Sequence, residues 1–392
     1  MRSEPLRISI LNAGGQADYL FGYISGLAQF SNLIIEVVDG ERTVGKFDQF
    51  ANVIHHNLRG PEHTSTDSIA TKGIRLLKFY FKLICYPIQT KSRIFHIQWM
   101  NKFLWFDRTV LLLWYKICGK ELYYTAHNIN DRARDGSDTW LNKWSLRFLY
   151  RNLRGVFVHT QDMKTELLEL CPIDPERVKV IPHGINNSMT PSELSSSEAR
   201  NYFGFSEEHK LVLFFGQIGR YKGLDILIEA FAALHPDNPD MRLVILGKSK
   251  GIDYLNLIEE MIAKYGLEEL VYKDFSYVDS DVVDKAFIAA DCVVMPYRKI
   301  YQSGVIFLAL RYGLPVIATK VGVFTEMIEE GENGLLVEEG SVANIASALT
   351  QYFNIELYRN LANRRTMIAQ DSNQKYSWLV IGKRYLEIFN AD

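Results

Sequence analysis

The chain has 392 residues, of which 47% are apolar and 23% charged, enough to bury large cores and long enough for two domains rather than one. Its formal net charge of −2 argues against wholesale nucleic-acid binding. Cys85, Cys118, Cys171 and Cys292 are far apart and lack metal-ligand spacing, so no metal site is expected and they read as reduced core thiols of a cytosolic protein.

The first six residues run directly into a strand-like segment at 8–12, so no secretory leader is expected. No uncharged apolar run approaches the roughly 18 to 20 residues that span a bilayer. Short β-rich runs then alternate with helical patterns, as expected for parallel sheets with crossover helices. In the N-terminal half, strands are predicted near 8–12, 33–39, 52–58, 94–99, 122–126, 155–159 and 178–182. Asn12-Ala13-Gly14-Gly15 follows the first of these. Such a loop admits close backbone approach by a ligand, and it is equally compatible with a plain tight turn.

Charge is unevenly spread. Residues 1–190 carry 24 Lys+Arg against 18 Asp+Glu, and the excess is concentrated at 70–154, with 16 against five. At about 100° per residue, Lys72, Arg75, Lys78 and Lys82 share one helical face, with Leu76, Leu77, Phe79, Tyr80, Phe81, Leu83 and Ile84 on the rest. Lys143, Arg147, Arg151 and Arg154 repeat the design. Basic amphipathic helices rich in aromatics suit the surface of an anionic bilayer, although any crossover helix also buries an apolar face and shows charge outward.

His127 ends a buried strand, where open α/β sheets bring side chains to a ligand crevice. Its imidazole either donates to a ligand hydroxyl or serves as a hydrogen-bonded structural group. After His183-Gly184, the polar interval 186–192 is expected to link the domains. A second series of strands follows near 211–216, 243–247, 271–275, 292–296 and 316–319, and 376–389 has helical period. After 211–216, the loop Gln217-Ile218-Gly219-Arg220-Tyr221-Lys222-Gly223 places two cations at a strand-to-helix turn. After 292–296, Tyr301-Gln302-Ser303-Gly304-Val305 opens a helix. Its unpaired N–H groups and dipole favour an anion, and with Arg220 and Lys222 a diphosphate would be neutralised.

These loops, followed by 313–319, by Glu326 and by 331–337, together with Tyr124-Thr125-Ala126-His127-Asn128 and 180–185, resemble family 4 glycosyltransferases of the GT-B fold across most of the chain. The resemblance implies two Rossmann-like domains facing each other across a deep cleft. The acceptor domain would be 1–188, the donor domain 189–375, and a terminal helix at 376–392 would return to the first. It implies metal-independent transfer, with retention, from a nucleoside-diphosphate sugar. Lys222, Arg220 and His127 would carry the chemistry. Gly14, Gly15, Gln217, Ser303, Gly304, Val305 and Glu326 would hold the donor, and Asn128 and His183 the acceptor side. His183 either reaches the cleft or caps the crossover, and Glu326 either binds donor hydroxyls or stabilises a helix N-terminus. The family's usual Glu pair is missing: its places fall on Ile300 and Leu308, or on Tyr301 and Ala309 after a one-residue slip.

The expected protein is a glycosyltransferase on the cytoplasmic face of the cell membrane, building cell-surface polysaccharide on a polyprenyl-diphosphate-linked saccharide. Two alternatives stand beside it: a nucleotide-sugar epimerase of related architecture, and a degenerate, non-catalytic membrane partner.

Overall fold

The computed structural model describes residues 5–40, 43–60, 68–130, 138–185, 190–249, 251–338 and 341–391. Most of the interval read as a linker, 186–189, lies outside them. Two compact units emerge: residues 1–184 with 376–392, and residues 185–375.

The first unit is built on a seven-stranded parallel sheet in the order β3-β2-β1-β4-β5-β6-β7. Its strands are β1 (Leu6–Leu11), β2 (Leu33–Asp39), β3 (Val53–Asn57), β4 (Ile94–Ile97), β5 (Glu121–Thr125), β6 (Gly155–Val158) and β7 (Val178–Val180). Most are buried on both faces, which explains why they read as near-continuous apolar runs. The second unit has a six-stranded parallel sheet, β10-β9-β8-β11-β12-β13. It comprises β8 (Lys210–Phe215), β9 (Met241–Leu246), β10 (Val271–Asp274), β11 (Cys292–Met295), β12 (Val316–Thr319) and β13 (Gly334–Val337). In each sheet the order reverses beside the first strand, between β1 and β4 and between β8 and β11, and such switch points open a ligand crevice at the strands' carboxyl ends.

Helix α1 (Ala17–Ala28) follows β1, and the C-terminal helix, Trp378–Ala391, packs against it. The contact depends on small residues. A Cβ on Gly22 would fall 2.1 Å from the Trp378 indole, and one on Gly26 2.0 Å from the Trp378 carbonyl oxygen. Helix α2 (Ile69–Gln89) starts at Ser68, whose hydroxyl accepts from Thr71 N–H, and its far end is tied to the sheet through Glu36. That buried carboxylate accepts from Tyr86 Oη at 2.9 Å, Thr90 Oγ1 at 2.8 Å and Ser92 Oγ at 3.2 Å. Burial would raise its pKa, but these bonds and His56 outweigh burial and hold it at about 2.

The outward face of α2 carries both kinds of side chain that the sequence reading weighed. Phe79, Tyr80, Leu83 and Tyr86 are buried, as a crossover helix requires. Ile74, Leu77, Phe81, Ile84 and Ile88, spaced at three and four residues, are instead exposed, with Leu77 at 74% and Phe81 at 67%. The solvent side is therefore an apolar stripe beside the exposed Lys78 and Lys82. Leu113 and Ile117 of α3 (Leu112–Ile117) and Trp140, Leu141 and Trp144 of α4 (Trp140–Asn152) are exposed as well. Trp114 of α3 links to α2 by donating to the Ile84 carbonyl at 2.8 Å. No helix among the described residues is long and apolar enough to cross a membrane.

Candidate functional site

In the second unit the cationic loop and the Ser-Gly turn meet at the switch point. The loop after β8 passes through Gly216 and a single 3-10 turn, Arg220–Lys222, before helix α5 (Leu224–Leu234). The loop after β11 leads to helix α6 (Gly304–Arg311). Gly216, at φ +112°, is where they converge: a Cβ there would lie 2.6 Å from Lys222 Nζ and 3.2 Å from Val305 Cγ2. Only glycine fits both the conformation and the space. Gly223, at φ +66°, ties the two loops again, since its Cβ would lie 2.0 Å from the Pro296 carbonyl oxygen.

Lys222 is 6% exposed, and its Nζ sits 4.8 Å from the centre of the Tyr297 ring. No carboxylate among the described residues is within ion-pair distance of it. Burial depresses its pKa to about 8. Ser303, buried at the N-terminus of α6, makes no side-chain cap, which leaves first-turn N–H groups for an anion, and Gly304 is exposed with open space around its Cα. Arg220 is exposed, its guanidinium 5.9 Å from the Tyr254 ring centre. Gln217 is half-buried between β8 and the 3-10 turn.

Sequence reasoning missed the clamp that holds this loop. Arg298, after β11, donates to both oxygens of Asp225, at 2.9 and 2.7 Å, while its own N–H donates to the Tyr221 carbonyl at 2.8 Å. Tyr254 Oη adds a bond to Asp225 Oδ1 at 2.8 Å. The signal in sequence was faint, because one acidic residue at a helix start and one distant arginine are common surface features. Gln302 was also passed over. Both its amide atoms are buried, and neither has a hydrogen-bond partner among the described residues.

The remaining candidates in this unit fare differently. Leu308 and Ala309, at two of the places where the Glu pair was sought, are buried. Glu326 is exposed in the first turn of a short helix, Phe324–Met327, the position of the alternative in which a carboxylate stabilises a helix N-terminus.

In the first unit, His127, Asn128 and His183 follow β5 and β7, and Gly14 and Gly15 follow β1. His127 is half-buried and stacked on Trp99, with centroids 3.8 Å apart and planes at 7°. Each of its nitrogens has a polar neighbour: Nε2 lies 3.2 Å from Gln98 Oε1, and Nδ1 lies 3.1 Å from His159 Nε2. His159 Nδ1 lies 3.0 Å from the Ile181 carbonyl, which can only accept, so His159 Nε2 is a lone pair, and the single N–H of a neutral His127 goes either to it or to Gln98 Oε1, not to both. Burial holds the pKa of His159 at about 4 and that of His183 at about 3, and places His127 well below the usual histidine range. The sequence left His127 as either a donor to a ligand hydroxyl or a hydrogen-bonded structural group; in the folded unit Gln98 and His159 lie within hydrogen-bond distance of its ring. His183 packs edge-on to Tyr19 at 4.7 Å, and its Nδ1 lies 2.6 Å from the Gly184 carbonyl. Asn128 is half-buried on the bend that follows.

Residues 195–371 match the family described as Glycosyl transferases group 1, and residues 71–188 match Glycosyltransferase Family 4. The chain is 28% identical over 283 residues to a D-inositol 3-phosphate glycosyltransferase of Corynebacterium aurimucosum, which covers 68% of this chain and 65% of that protein. It is 27% identical over 179 residues to the lipopolysaccharide core biosynthesis mannosyltransferase LpsB of Rhizobium meliloti, covering 45% of this chain and 50% of that one. Among solved structures, Anabaena HepE in complex with UDP and glucose superposes with TM-score 0.73 at 18% identity, over 99% of this chain and 100% of that one. A sucrose-phosphate synthase from Thermosynechococcus elongatus gives TM-score 0.74 at 18% identity over the same shares. The structural likeness establishes the fold.

Proposed function

Because this chain belongs to the family 4-like glycosyltransferases of the GT-B fold, we propose that it transfers a hexosyl group, with retention of anomeric configuration, from a nucleoside-diphosphate sugar to a lipid-linked saccharide. The observation that carries the donor half is the buried ammonium of Lys222, without a carboxylate partner among the described residues, beside the uncapped N-terminus of α6. A leaving diphosphate supplies the missing counter-charge. Departure of the diphosphate is where negative charge develops, so fixed donors there stabilise the transition state without any group having to reorganise. Arg220 adds a second cation at the mouth of the loop, and Gln217, Ser303, Gly304 and Val305 line it. Metal-independent transfer is part of this reading.

His127 enters as a positioning residue. Its ring holds Gln98 and His159 in place and packs on Trp99, while Asn128 and His183 shape the same end of the sheet. Glu326 is retained as a weaker contributor to donor binding.

The acceptor and location form the second part of the proposal. A polyprenyl-diphosphate-linked saccharide would be met at the cytoplasmic face of a membrane, as in cell-surface polysaccharide assembly. The exposed apolar stripe of α2, flanked by Lys78 and Lys82, and the exposed Trp140 and Trp144 of α4 beside Lys143, Arg147, Arg151 and Arg154 support contact with an anionic bilayer.

The test is thermal stabilisation by a panel of nucleoside diphosphates and their sugar conjugates, since a ligand that binds only the folded state raises the melting temperature. A shift selective for one base in the wild type and absent in Lys222→Ala is expected. An equal shift in Lys222→Ala would remove the donor assignment.

A further inference from the structure

We infer that Tyr297 is a positioning residue of the donor site, whose ring face seats the Lys222 ammonium and holds it in its charged form until an anion arrives. The inference deepens the reading of Lys222 as the cation that meets the diphosphate, and it rests on that reading.

Tyr297 follows β11 in the loop that leads to α6, and its side chain is fully buried. Its surroundings fix the ring. Phe324 packs against it with centroids 5.2 Å apart and planes at 63°, Tyr221 lies edge-on at 6.5 Å, and Thr319 Oγ1, at the end of β12, donates to the Tyr297 carbonyl at 2.5 Å. One residue on, the Arg298 N–H donates to the Tyr221 carbonyl, which ties this loop to the turn that carries Lys222. The ammonium then has a set place. Its Nζ lies 4.8 Å from the ring centre, inside the roughly 6 Å over which a cation is drawn to an aromatic face. Gly216 leaves the room for it, since a Cβ there would stand 2.6 Å from Nζ.

Among the described residues, the other groups around the ammonium supply no counter-charge. Arg220 of the same turn lies by the Tyr254 ring, and Asp225 at the start of α5 is bound by Arg298 and Tyr254. The start of α6 offers the neutral Ser303 and Val305, and the short helix Phe324–Met327 offers Phe324, with Glu326 exposed. Nor is the Tyr297 hydroxyl an anion, because burial raises its pKa far above the physiological range. The attraction therefore comes from the ring face.

Burial pulls the pKa of Lys222 down to about 8, with Tyr221 acting in the opposite sense. A cation–ring contact shielded from water shifts such an equilibrium by about tenfold or more, so without it the lysine would titrate about one pH unit lower. The difference falls at neutral pH. At pH 7 a lysine titrating at about 8 is roughly nine-tenths charged, and one titrating about a unit lower is roughly half charged.

The experiment compares Tyr297→Phe with a protein that carries trifluorophenylalanine at the same position, which keeps the size of the ring and empties its face of negative potential. Lysine labelled with carbon-13 at Cε is titrated by NMR in the full chain without ligand, and Lys222 is assigned by its absence from the spectrum of Lys222→Ala. Its midpoint is expected about one pH unit lower in the trifluoro protein than in Tyr297→Phe, with equal melting temperatures. A monofluoro analogue should fall between them, which keeps the test decisive if the trifluoro protein folds poorly. Equal midpoints across the series would overturn the inference, because a ring that merely fills space is indifferent to its fluorines. Calorimetric titration with inorganic pyrophosphate then reads the consequence for binding. The trifluoro protein should bind about fivefold more weakly than Tyr297→Phe at pH 8 and equally at pH 6, the pattern of a lost charge. A loss of the same size at both pH values would overturn the inference too, since it marks a damaged site. A lower midpoint with equal affinities at both pH values would instead sink the donor reading and leave the ring's hold on Lys222 standing.

Discussion

The ammonium of Lys222 lies 4.8 Å from the centre of the Tyr297 ring, with burial holding its pKa at about 8. An aromatic face attracts a cation, but it does not replace a carboxylate. The site is therefore costly in the free protein and valuable once an anion arrives. Between pH 8 and the ordinary lysine value the unfolded chain binds more protons at this position than the folded one. Stability from this group therefore rises with pH across that window, and below pH 8 the buried charge is a net cost. Each pKa unit is worth about 1.4 kcal/mol, so Lys222→Met should stabilise the protein by on the order of 3 kcal/mol at neutral pH. It should also abolish diphosphate binding. Denaturant unfolding at pH 7 and at pH 10 checks the first point, with the gain smaller at the higher pH.

The same group sets a pH dependence for the donor. A bound diphosphate keeps the ammonium charged, so nucleoside-diphosphate affinity should fall roughly tenfold per unit above pH 8. A flat affinity from pH 7 to 10 would mean that Lys222 does not touch the ligand.

Gln302 sits immediately before the Ser303 turn with both amide atoms buried and, among the described residues, unpartnered. Leaving such groups unmade costs about 1–3 kcal/mol. The donor sugar is the expected partner, because the usual carboxylates are absent from this turn. Gln302→Leu should leave the melting temperature unchanged or higher and should bind the nucleoside diphosphate normally. It should lose at least tenfold in affinity for the sugar conjugate. Equal losses for both ligands would assign Gln302 to the diphosphate instead.

Asp225 orients the cationic loop through Arg298 and Tyr254 without any need to meet the ligand. Arg298 is 34% and Asp225 18% exposed at the side chain, so solvent screens part of the pair. Asp225→Asn is expected to cost about 1 kcal/mol of stability. It should also weaken diphosphate binding several-fold, because the 3-10 turn carrying Lys222 loses its brace. Calorimetric affinities beside unfolding curves separate the two effects.

Membrane contact is tested on α2. Leu77 and Phe81 are largely exposed, so Leu77→Glu with Phe81→Glu should leave the fold intact. Sedimentation with vesicles containing anionic lipid should fall several-fold. Lys78→Gln with Lys82→Gln should lower binding mainly at low salt, since each charge near an anionic surface contributes about 1 kcal/mol within a Debye length.

Among the described residues, twelve of the thirteen strands were legible because a strand buried on both faces is a short apolar run between turn residues. The exception, β13, lies at the sheet edge beside β12. It starts at Gly334 directly after the polar loop 331–333, too glycine-led to stand out from that loop. Lys222 and the Ser303 turn were legible as well, since cations and small residues at strand-to-helix junctions carry a local physical meaning.

Local sequence determined the parallel α/β architecture, the two series of strands and the loops that carry charge and glycine, because periodicity and turn chemistry act over a few residues. Only tertiary structure decided partnership. It left Lys222 without a carboxylate among the described residues, joined Asp225 to Arg298 across 73 positions, and brought Gln98 and His159 within hydrogen-bond distance of His127. It turned the stripe Ile74 to Ile88 outward on a helix whose other face is in the core. Whether a polar group is spare, or an apolar one covered, depends on residues far away in the chain. That property belongs to the packed molecule and to no window of its sequence.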